Sequence, residues 1–289
     1  MNPAPSVIIF TVLSGLGFGY LGFLAVLGAP AGWQAFAQWA LGYALAVGGL
    51  VASATHLGNP QRAWRAFTQW RSSWLSREAG AAVVTLLVLA PMALSDWLGL
   101  GWPRVIGWLG AVLCVGTVIC TSMIYAQIRA VPRWHHASVP AVFLAFGFAG
   151  GAMLAGQTVL ALAGLAALAV AVLVHWRAGD GAFARAGSTL GSATGLGAIG
   201  TTEVFELPHT GGNYLMREMI HVVGRKHAAK LRAIVLGLGV IAPAFALSVL
   251  PGVWGIVPAV GLYLLGAFVQ RWLFFAQAEH VVGLYYGQR

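Results

Sequence analysis

Long, almost uncharged apolar runs are the feature that most limits how this chain can fold. Each has about the length of 20 residues that an α-helix needs to cross a bilayer. The clearest runs are 6–27, 36–57, 78–94, 105–125, 233–250 and 254–275. Only 8% of the residues are charged, against about 25% in a soluble domain, too few to cover a soluble core. The pattern therefore predicts an all-α, polytopic integral membrane protein.

The stretch 139–176 contains no Asp, Glu, Lys or Arg and is too long for one span. As a single helix it would extend about 57 Å at 1.5 Å per residue, against a hydrocarbon core of about 30 Å. It is predicted to be a helical hairpin that turns at Gly156-Gln157. Eight transmembrane helices then form one membrane domain, residues 1–289, with a long loop at about 177–232. Pro243 is expected to kink the seventh helix, as a packed bundle tolerates.

Basic residues are distributed unequally between the two sets of loops. Fifteen of the sixteen Lys and Arg residues follow an even-numbered helix, and Arg104 follows an odd-numbered one. Because positively charged loops stay in the cytoplasm, both termini and the long loops are predicted to be cytoplasmic. This topology explains the net charge of +9 without nucleic acid, which is not expected as a partner. No Lys or Arg precedes the first run, so it is expected to be a retained helix rather than a signal peptide.

Histidines and cysteines limit the cofactors that the chain could hold. All eight histidines fall at or beyond the helix ends on the basic side: His56, His135, His136, His175, His209, His221, His227 and His280. Two haems spanning a bilayer need axial ligands at both depths, which disfavours a di-haem cytochrome b and leaves a single cytoplasmic-side haem as the alternative. Cys114 and Cys120 are too few for an iron–sulfur cluster, which uses four thiolates. No iron–sulfur cluster, haem or molybdenum is therefore expected in this chain.

The densest polar segment begins at His56, where the second helix reaches water. Asn59 is a favourable N-cap and Pro60 suits a first helical position, so a short interfacial helix is predicted. Its Arg62 and Arg65 would face water or a partner. The imidazole of His56 can donate a hydrogen bond to a carbonyl and exchange protons near neutral pH, as a quinone requires. An interfacial anchor without chemistry is the alternative.

Glu78 stands at the predicted start of the third helix. Ser76 is predicted to cap this helix, and a carboxylate in the first turn favours the helix dipole. The functional alternative is a proton relay beside a bound quinone.

The sixth loop has two distinct parts. Its glycines, from 187 to 200, follow no strand and match no phosphate-binding pattern, so nucleotide binding is not expected. The stretch 213–230 is predicted to form a basic amphipathic helix. This helix would either lie on anionic membrane lipid or dock a partner subunit through Arg217 and Arg225.

These residues resemble the membrane-anchor subunits of the dimethyl sulfoxide reductase family of molybdenum enzymes. The likeness follows nearly the whole chain as an eight-helix plan, and its specific part is HLGNPQRA at 56–63 followed by LSRE at 75–78. It implies a site for ubiquinone or menaquinone, with the family's quinone-site histidine at His56 and its acidic residue at Glu78. Arg62 and Arg65 would lie beside them. The resemblance also implies two partners, a four-cluster iron–sulfur subunit and a molybdopterin catalytic subunit.

The predicted topology favours one subgroup of this family. Secreted reductases place their catalytic subunits outside the cytoplasmic membrane, on the side of these motifs, whereas here the motifs lie on the cytoplasmic side. This is similar to the anchor of cytoplasm-facing sulfite dehydrogenase, as is 187–232, and implies electron flow from sulfite to quinone at a bacterial inner membrane. The alternatives are a quinol-oxidising anchor of dimethyl sulfoxide reductase and a transporter or channel, expected to place functional charges near the midplane.

Overall fold

A computed structural model of the protein describes residues 1–55, 57–206, 209, 211–220 and 223–287. Within these ranges the regular secondary structure is entirely helical, as the sequence predicts. The first six α-helices are α1 (Pro5–Leu27), α2 (Trp33–Ala54), α3 (Trp74–Leu98), α4 (Val105–Ala126), α5 (Ser138–Leu154) and α6 (Thr158–Gly179). Short helices follow: α7 (Ala182–Arg185), α8 (Leu190–Thr194), α9 (Tyr214–Glu218) and α10 (Val223–Lys226). The last are α11 (Ala228–Leu236), α12 (Ala242–Val249) and α13 (Val253–Ala276).

Seven helical stretches in the described ranges are long and apolar enough to cross a membrane. The fourth, predicted at 105–125, is found at Val105–Ala126, and the predicted hairpin between α5 and α6 is present. Its turn contains Gly156 at a φ of +69°, a backbone conformation that favours glycine. However, α5 has 17 residues, about 26 Å at 1.5 Å per residue. The structure therefore supports seven spans by length and composition, and eight crossings are not confirmed.

Two ends of the bundle are distinguished by charge. We call the end that carries fifteen of the sixteen Lys and Arg residues the basic end. It includes the loops that follow α2, α4 and α6 and the segment after α13. The opposite end carries Arg104. Helix α1 packs against α2, α4, α5 and α13, which makes it the centre of the bundle.

Small residues allow α1 to approach its neighbours closely. A Cβ at Gly19 would overlap the carbonyl of Gly147 in α5, and a Cβ at Gly17 would overlap the backbone of Ala46 in α2. Close backbone approach increases van der Waals contact, which drives helix association in lipid. The glycines of α1 therefore fix its central position.

Pro243 interrupts its span through a π-helical turn, Gly237–Ile241, between α11 and α12. Proline lacks an N–H, and its ring displaces the carbonyl one turn earlier. A local π-bulge accommodates the lost hydrogen bond. The predicted kink is thus a π-bulge, at which Gly239 lies against Gly266 of α13.

A buried ion pair closes the opposite end of the bundle. Asp96, near the end of α3, accepts hydrogen bonds from both terminal nitrogens of Arg104, at 2.6 and 3.1 Å. It also accepts from the indole of Trp39 at 3.0 Å and from the backbone N–H of Ala29 at 3.2 Å. The carboxylate of Asp96 therefore connects α1, α2, α3 and α4 at the end of the bundle opposite the basic end.

At the basic end, Asp180 joins two arginines from distant parts of the chain. Arg133 of the α4–α5 loop and Arg232 of α11 donate to its carboxylate at 2.6–2.8 Å. These hydrogen bonds, above all those from Arg232, lower the pKa of Asp180 to about 2. A lowered carboxyl pKa stabilises the fold above the unfolded value of about 4, and this contribution disappears as the pH falls from about 4 towards 2. The hydrogen bonds of Asp180 with Arg133 and Arg232 are therefore intact at neutral pH.

The long loop after α6 packs on the segment that follows α13. The hydroxyl of Tyr285 donates to the carbonyl of Ala193 at 2.7 Å, and the side chain of Asn213 donates to the hydroxyl of Tyr286 at 3.0 Å. These contacts hold the loop against the basic end of the bundle.

Candidate functional site

The predicted quinone-binding arginines lie on a short helix at the basic end, Pro60–Phe67, which is a 3-10 helix rather than an α-helix. It begins with proline, as predicted, but Asn59 does not cap it with its side chain. Arg62 and Arg65 are both exposed, and the helix packs against α3. His56, the predicted carbonyl partner, lies outside the described residues.

Aromatic side chains flank these arginines. Trp64, Phe67 and Trp70 are all exposed. Arg77 ties the segment to α3, because its guanidinium donates to the carbonyls of Trp70 at 2.8 Å and Arg71 at 2.6 Å. Exposed rings beside arginines at the end of membrane helices are typical of a segment at the lipid–water boundary.

Glu78 is buried inside the bundle, which corrects the expectation that it lies in the first turn of a helix capped by Ser76. Helix α3 begins at Trp74, and its cap is Ser73, which accepts a hydrogen bond from the backbone N–H of Ser76 at 3.5 Å. Glu78 therefore belongs to the second turn, where it is 3% exposed. Its Oε1 accepts from the hydroxyl of Thr121 in α4 at 3.4 Å. Burial of a carboxyl with so little hydrogen bonding is unfavourable for stability and typical of functional sites.

A row of buried threonine hydroxyls continues from Glu78 into the bundle. Thr121 donates to the carbonyl of Thr117 at 3.0 Å, and the hydroxyls of Thr117 and Thr85 are 3.0 Å apart. We call these three threonines the hydroxyl row. Along α3 the row ends seven residues from Glu78, a distance of about 10 Å. Sequence reasoning missed the row, although the spacing of Thr117 and Thr121 places both on one face of α4.

The groups at this position suit proton exchange and hydrogen bonding to a polar ligand. The carboxyl of Glu78 can take up or release a proton close to the basic end. Each of the three hydroxyls also lies within hydrogen-bond distance of the carbonyl one turn earlier in its own helix, at 2.7–3.0 Å. A hydroxyl has one hydrogen to donate, so Thr121 shares its hydrogen between Thr117 and Glu78.

A second buried charge lies inside the last span, in a run where the sequence analysis singled out no residue. Arg271 lies within α13, five residues before the end at Ala276, and is 2% exposed. Its guanidinium carbon is 3.7 Å from the ring centre of Phe143 and 5.0 Å from that of Phe146. It donates to the side-chain oxygen of Gln270 at 2.9 Å. Among the described residues, no carboxylate lies within salt-bridge distance of it.

Arg271 lies in a largely aromatic part of the bundle. The ring of Tyr125 in α4 is 5.8 Å from that of Phe143, over which the guanidinium lies. A cavity of about 10 Å³, with Thr11 and Tyr263 in its wall, lies beside Arg271. This volume is about that of one water position, so the guanidinium has room for a single hydrogen-bonded water.

The predicted docking arginines lie in different surroundings. Arg217 is exposed in α9, whereas Arg225 of α10 forms an ion pair with Glu279 beyond α13. The stretch 213–230 is not one continuous amphipathic helix, because its described residues are divided among α9, α10 and the start of α11. Part of the charge predicted for docking is therefore used within the chain.

Comparison with known proteins bears directly on these motifs. A family model described as DMSO reductase anchor subunit (DmsC) matches residues 1–177, which include both quoted motifs. The chain is 31% identical to a sulfite dehydrogenase subunit of Allochromatium vinosum over 329 aligned residues, covering 99% of each chain. No solved structure gives a significant match. The resemblance predicted from the sequence is confirmed, and the chain belongs to the DMSO reductase anchor subunit family.

Proposed function

We propose that this chain is the quinone-binding membrane anchor of a molybdopterin and iron–sulfur oxidoreductase. The observation that carries the proposal is Glu78, a carboxyl buried in the second turn of α3, the helix against which the arginine-bearing segment Pro60–Phe67 packs. Membership of the anchor family supports a partnership with catalytic oxidoreductase subunits. In this role the chain passes electrons between an iron–sulfur subunit and the quinone pool.

The residues at this position fit a quinone headgroup. When bound, a quinone supplies two carbonyl oxygens and accepts two electrons and two protons. In the proposed site His56 donates a hydrogen bond to one carbonyl, and Glu78 exchanges a proton. The hydrogen bond that Glu78 accepts from Thr121 is long, at 3.4 Å, so the carboxyl retains capacity to bond a ligand or water. Arg62 and Arg65 supply positive charge at the water side of the site.

We propose that electrons flow from sulfite oxidation into quinone. The relative that aligns over 99% of each chain is named as part of a sulfite dehydrogenase. The family model carries the name of the DMSO reductase anchor, which supports a quinol-oxidising anchor as the second candidate. Sulfite-dependent quinone reduction by the purified complex supports the first candidate, and quinol-dependent sulfoxide reduction supports the second.

The proposed partners follow from the same role. They are a four-cluster iron–sulfur subunit and a molybdopterin catalytic subunit on the side of the basic end, with membrane lipid around the helices. We propose that α5 crosses the bilayer as an eighth span, because an even number of spans returns both termini to one side. The basic end would then face the cytoplasm of a bacterial inner membrane.

Reporter fusions test this topology. A cytoplasmic reporter fused after residue 289 is expected to be active, and a periplasmic reporter inserted near Trp102 is expected to be active, because the two positions lie at opposite ends of the bundle. Periplasmic reporters at both positions would contradict the eighth span. A periplasmic C-terminus with a cytoplasmic position near Trp102 would contradict the orientation.

Substitution of the site residues tests the function. Glu78→Gln is expected to lower quinone-linked turnover by about tenfold or more, because a general acid or base contributes roughly 10²–10⁴-fold. His56→Ala removes a hydrogen bond of about 0.5–1.5 kcal/mol and should also slow turnover. Activity of the soluble subunits with an artificial dye should be retained, because the dye bypasses the membrane site. The measurement compares quinone and dye reduction by the same purified complex.

His135→Ala is the matched control. His135 lies at the same end of the bundle in the α4–α5 loop, where its Nδ1 is 2.8 Å from the carbonyl oxygen of Ala126, so its loss should leave turnover at the parent rate. Assembled His56→Ala and Glu78→Gln complexes that reduce quinone at the parent rate would refute the proposed site.

A further inference from the structure

One segment of the long loop differs in charge from the rest of the basic end. No Lys or Arg occurs between Arg185 and Arg217, and this stretch contains Glu203 and Glu206. Both glutamates are exposed. They form an acidic patch on an end of the bundle that otherwise carries nearly all the positive charge of the chain.

The same segment exposes large apolar side chains. Phe205 is 98% exposed and Ile199 is 84% exposed, and Leu196 is also exposed. These residues lie outside the candidate membrane spans, in a loop that begins after α6. We call residues 196–206 the acidic apolar segment. These three side chains lie close together in the sequence, and exposed apolar patches mark interaction sites.

The base of this segment has a defined conformation. Thr189 and Ser192 form a capping box at the start of α8, and Gly191 packs so closely on Gly197 that a Cβ would lie 3.0 Å from its Cα. The hydroxyl of Tyr285 fixes the same turn to the segment after α13. A side chain held on an ordered base loses little conformational entropy on binding, so Ile199 is presented in a form ready to bind.

The charge of this segment distinguishes between the two surfaces that could cover it, an anionic lipid membrane and a partner protein. Anionic lipid repels carboxylates, and Glu203 and Glu206 have no basic residue near them in the sequence. The helix Pro60–Phe67, with Arg62 and Arg65, has the composition that suits anionic lipid. A protein surface with an apolar depression and a basic border matches both the rings and the carboxylates of the acidic apolar segment.

This segment lies in the part of the chain that the family model does not match. The family model matches residues 1–177 and ends before it, whereas the alignment with the sulfite dehydrogenase relative covers 99% of this chain. The segment is therefore outside the region shared with the anchor model and within the span of the alignment to this relative. An element that selects one particular soluble subunit is expected in such a region.

We propose that the acidic apolar segment is the docking element for the soluble electron-transfer subunit. Phe205 and Ile199 fill an apolar depression of that subunit, and Glu203 and Glu206 meet its basic border. This inference rests on the proposed function, in which the chain anchors a soluble iron–sulfur subunit. It makes this segment, rather than Arg217, the main determinant of docking.

Retention of the soluble subunits on membranes tests the proposal in the complete complex. Ile199→Ser/Phe205→Ser is expected to reduce the retained fraction by about tenfold or more, because apolar anchors at the centre of an interface carry most of the binding energy. Glu203→Lys/Glu206→Lys should also reduce retention, and more strongly at low salt than at high salt. Because these side chains are exposed, the amount of the chain in the membrane should equal that of the parent.

Two further measurements decide the outcome. Arg217→Glu is the comparison variant: loss of retention in Arg217→Glu with parent retention in Ile199→Ser/Phe205→Ser would overturn the proposal. A photo-crosslinking residue in place of Phe205 should give an adduct with the soluble subunit, and an adduct only with phospholipid would also overturn it. Failure of the proposed function gives a distinct result. No soluble oxidoreductase subunit would then co-purify with the parent chain, which would contradict both the anchor function and the docking element.

Discussion

Asp96→Ala is expected to destabilise the helix bundle by about 3–5 kcal/mol, because it removes four hydrogen bonds to a buried carboxylate, each contributing about 1 kcal/mol. The substitution removes two hydrogen bonds from Arg104, one from Trp39 and one from the backbone of Ala29. It also leaves the guanidinium without its counter-charge. Thermal unfolding of the purified chain in detergent, followed by tryptophan fluorescence, should show an apparent Tm lower by roughly 10 °C.

A double-mutant cycle separates the ion pair from the other contacts of Asp96. Arg104→Ala should cost less than Asp96→Ala, because the arginine side chain is 35% exposed and water can replace part of its contacts. The double variant should cost less than the sum of the two single variants, since neither charge is then left without its partner. An Asp96→Ala chain that melts at the parent temperature would show that the pair does not stabilise the fold.

Arg271→Met is expected to change stability and function in opposite directions. Arg271 is buried against two phenylalanine rings, and replacement of buried charges by apolar side chains of similar volume is often neutral or stabilising by about 1–4 kcal/mol. An ionisable residue inside a membrane span usually serves function, and Arg271 lies near the basic end of α13, the end of the bundle at which Glu78 is buried. Loss of about 1.4 kcal/mol of electrostatic stabilisation there would lower quinone-linked turnover about tenfold. Thermal unfolding and turnover of one preparation measure both effects.

Arg271→Lys is the matched control for this variant. It keeps the positive charge but loses the planar group that lies on Phe143, so it should retain more turnover than Arg271→Met. A lower Tm with parent turnover in Arg271→Met would instead show that the arginine serves packing alone.

The spans could be predicted because an apolar run of about 20 residues leaves few alternatives to a membrane helix. One predicted boundary is wrong. The sequence analysis places Glu78 at the start of α3, whereas α3 begins at Trp74. The charge of Glu78 is interpreted there as the end of the apolar run. The bundle instead buries Glu78 against Thr121.

The candidate site could be predicted only in part. The arginines of the short helix and Glu78 were found, because polar residues at the end of an apolar run stand out in a sequence. The contacts of Glu78 with Thr121, and of Thr117 with Thr85, depend on the register between α3 and α4. A single sequence contains no information on that register, and the same limit hid the pairing of Arg225 with Glu279.

Beyond the hydroxyl row the contact between α3 and α4 is electrically insulating. Helix α3 carries no polar side chain between Thr85 and Ser95, and Leu89 and Met92 are fully buried there. Glu78, four residues from the start of α3, lies only about 6 Å into the bundle. Nearly all of a transmembrane voltage, worth about 2.3 kcal/mol per charge per 100 mV, therefore falls on the far side of Glu78. Proton exchange at this carboxyl should proceed at the same rate in an energised cell as in a leaky vesicle.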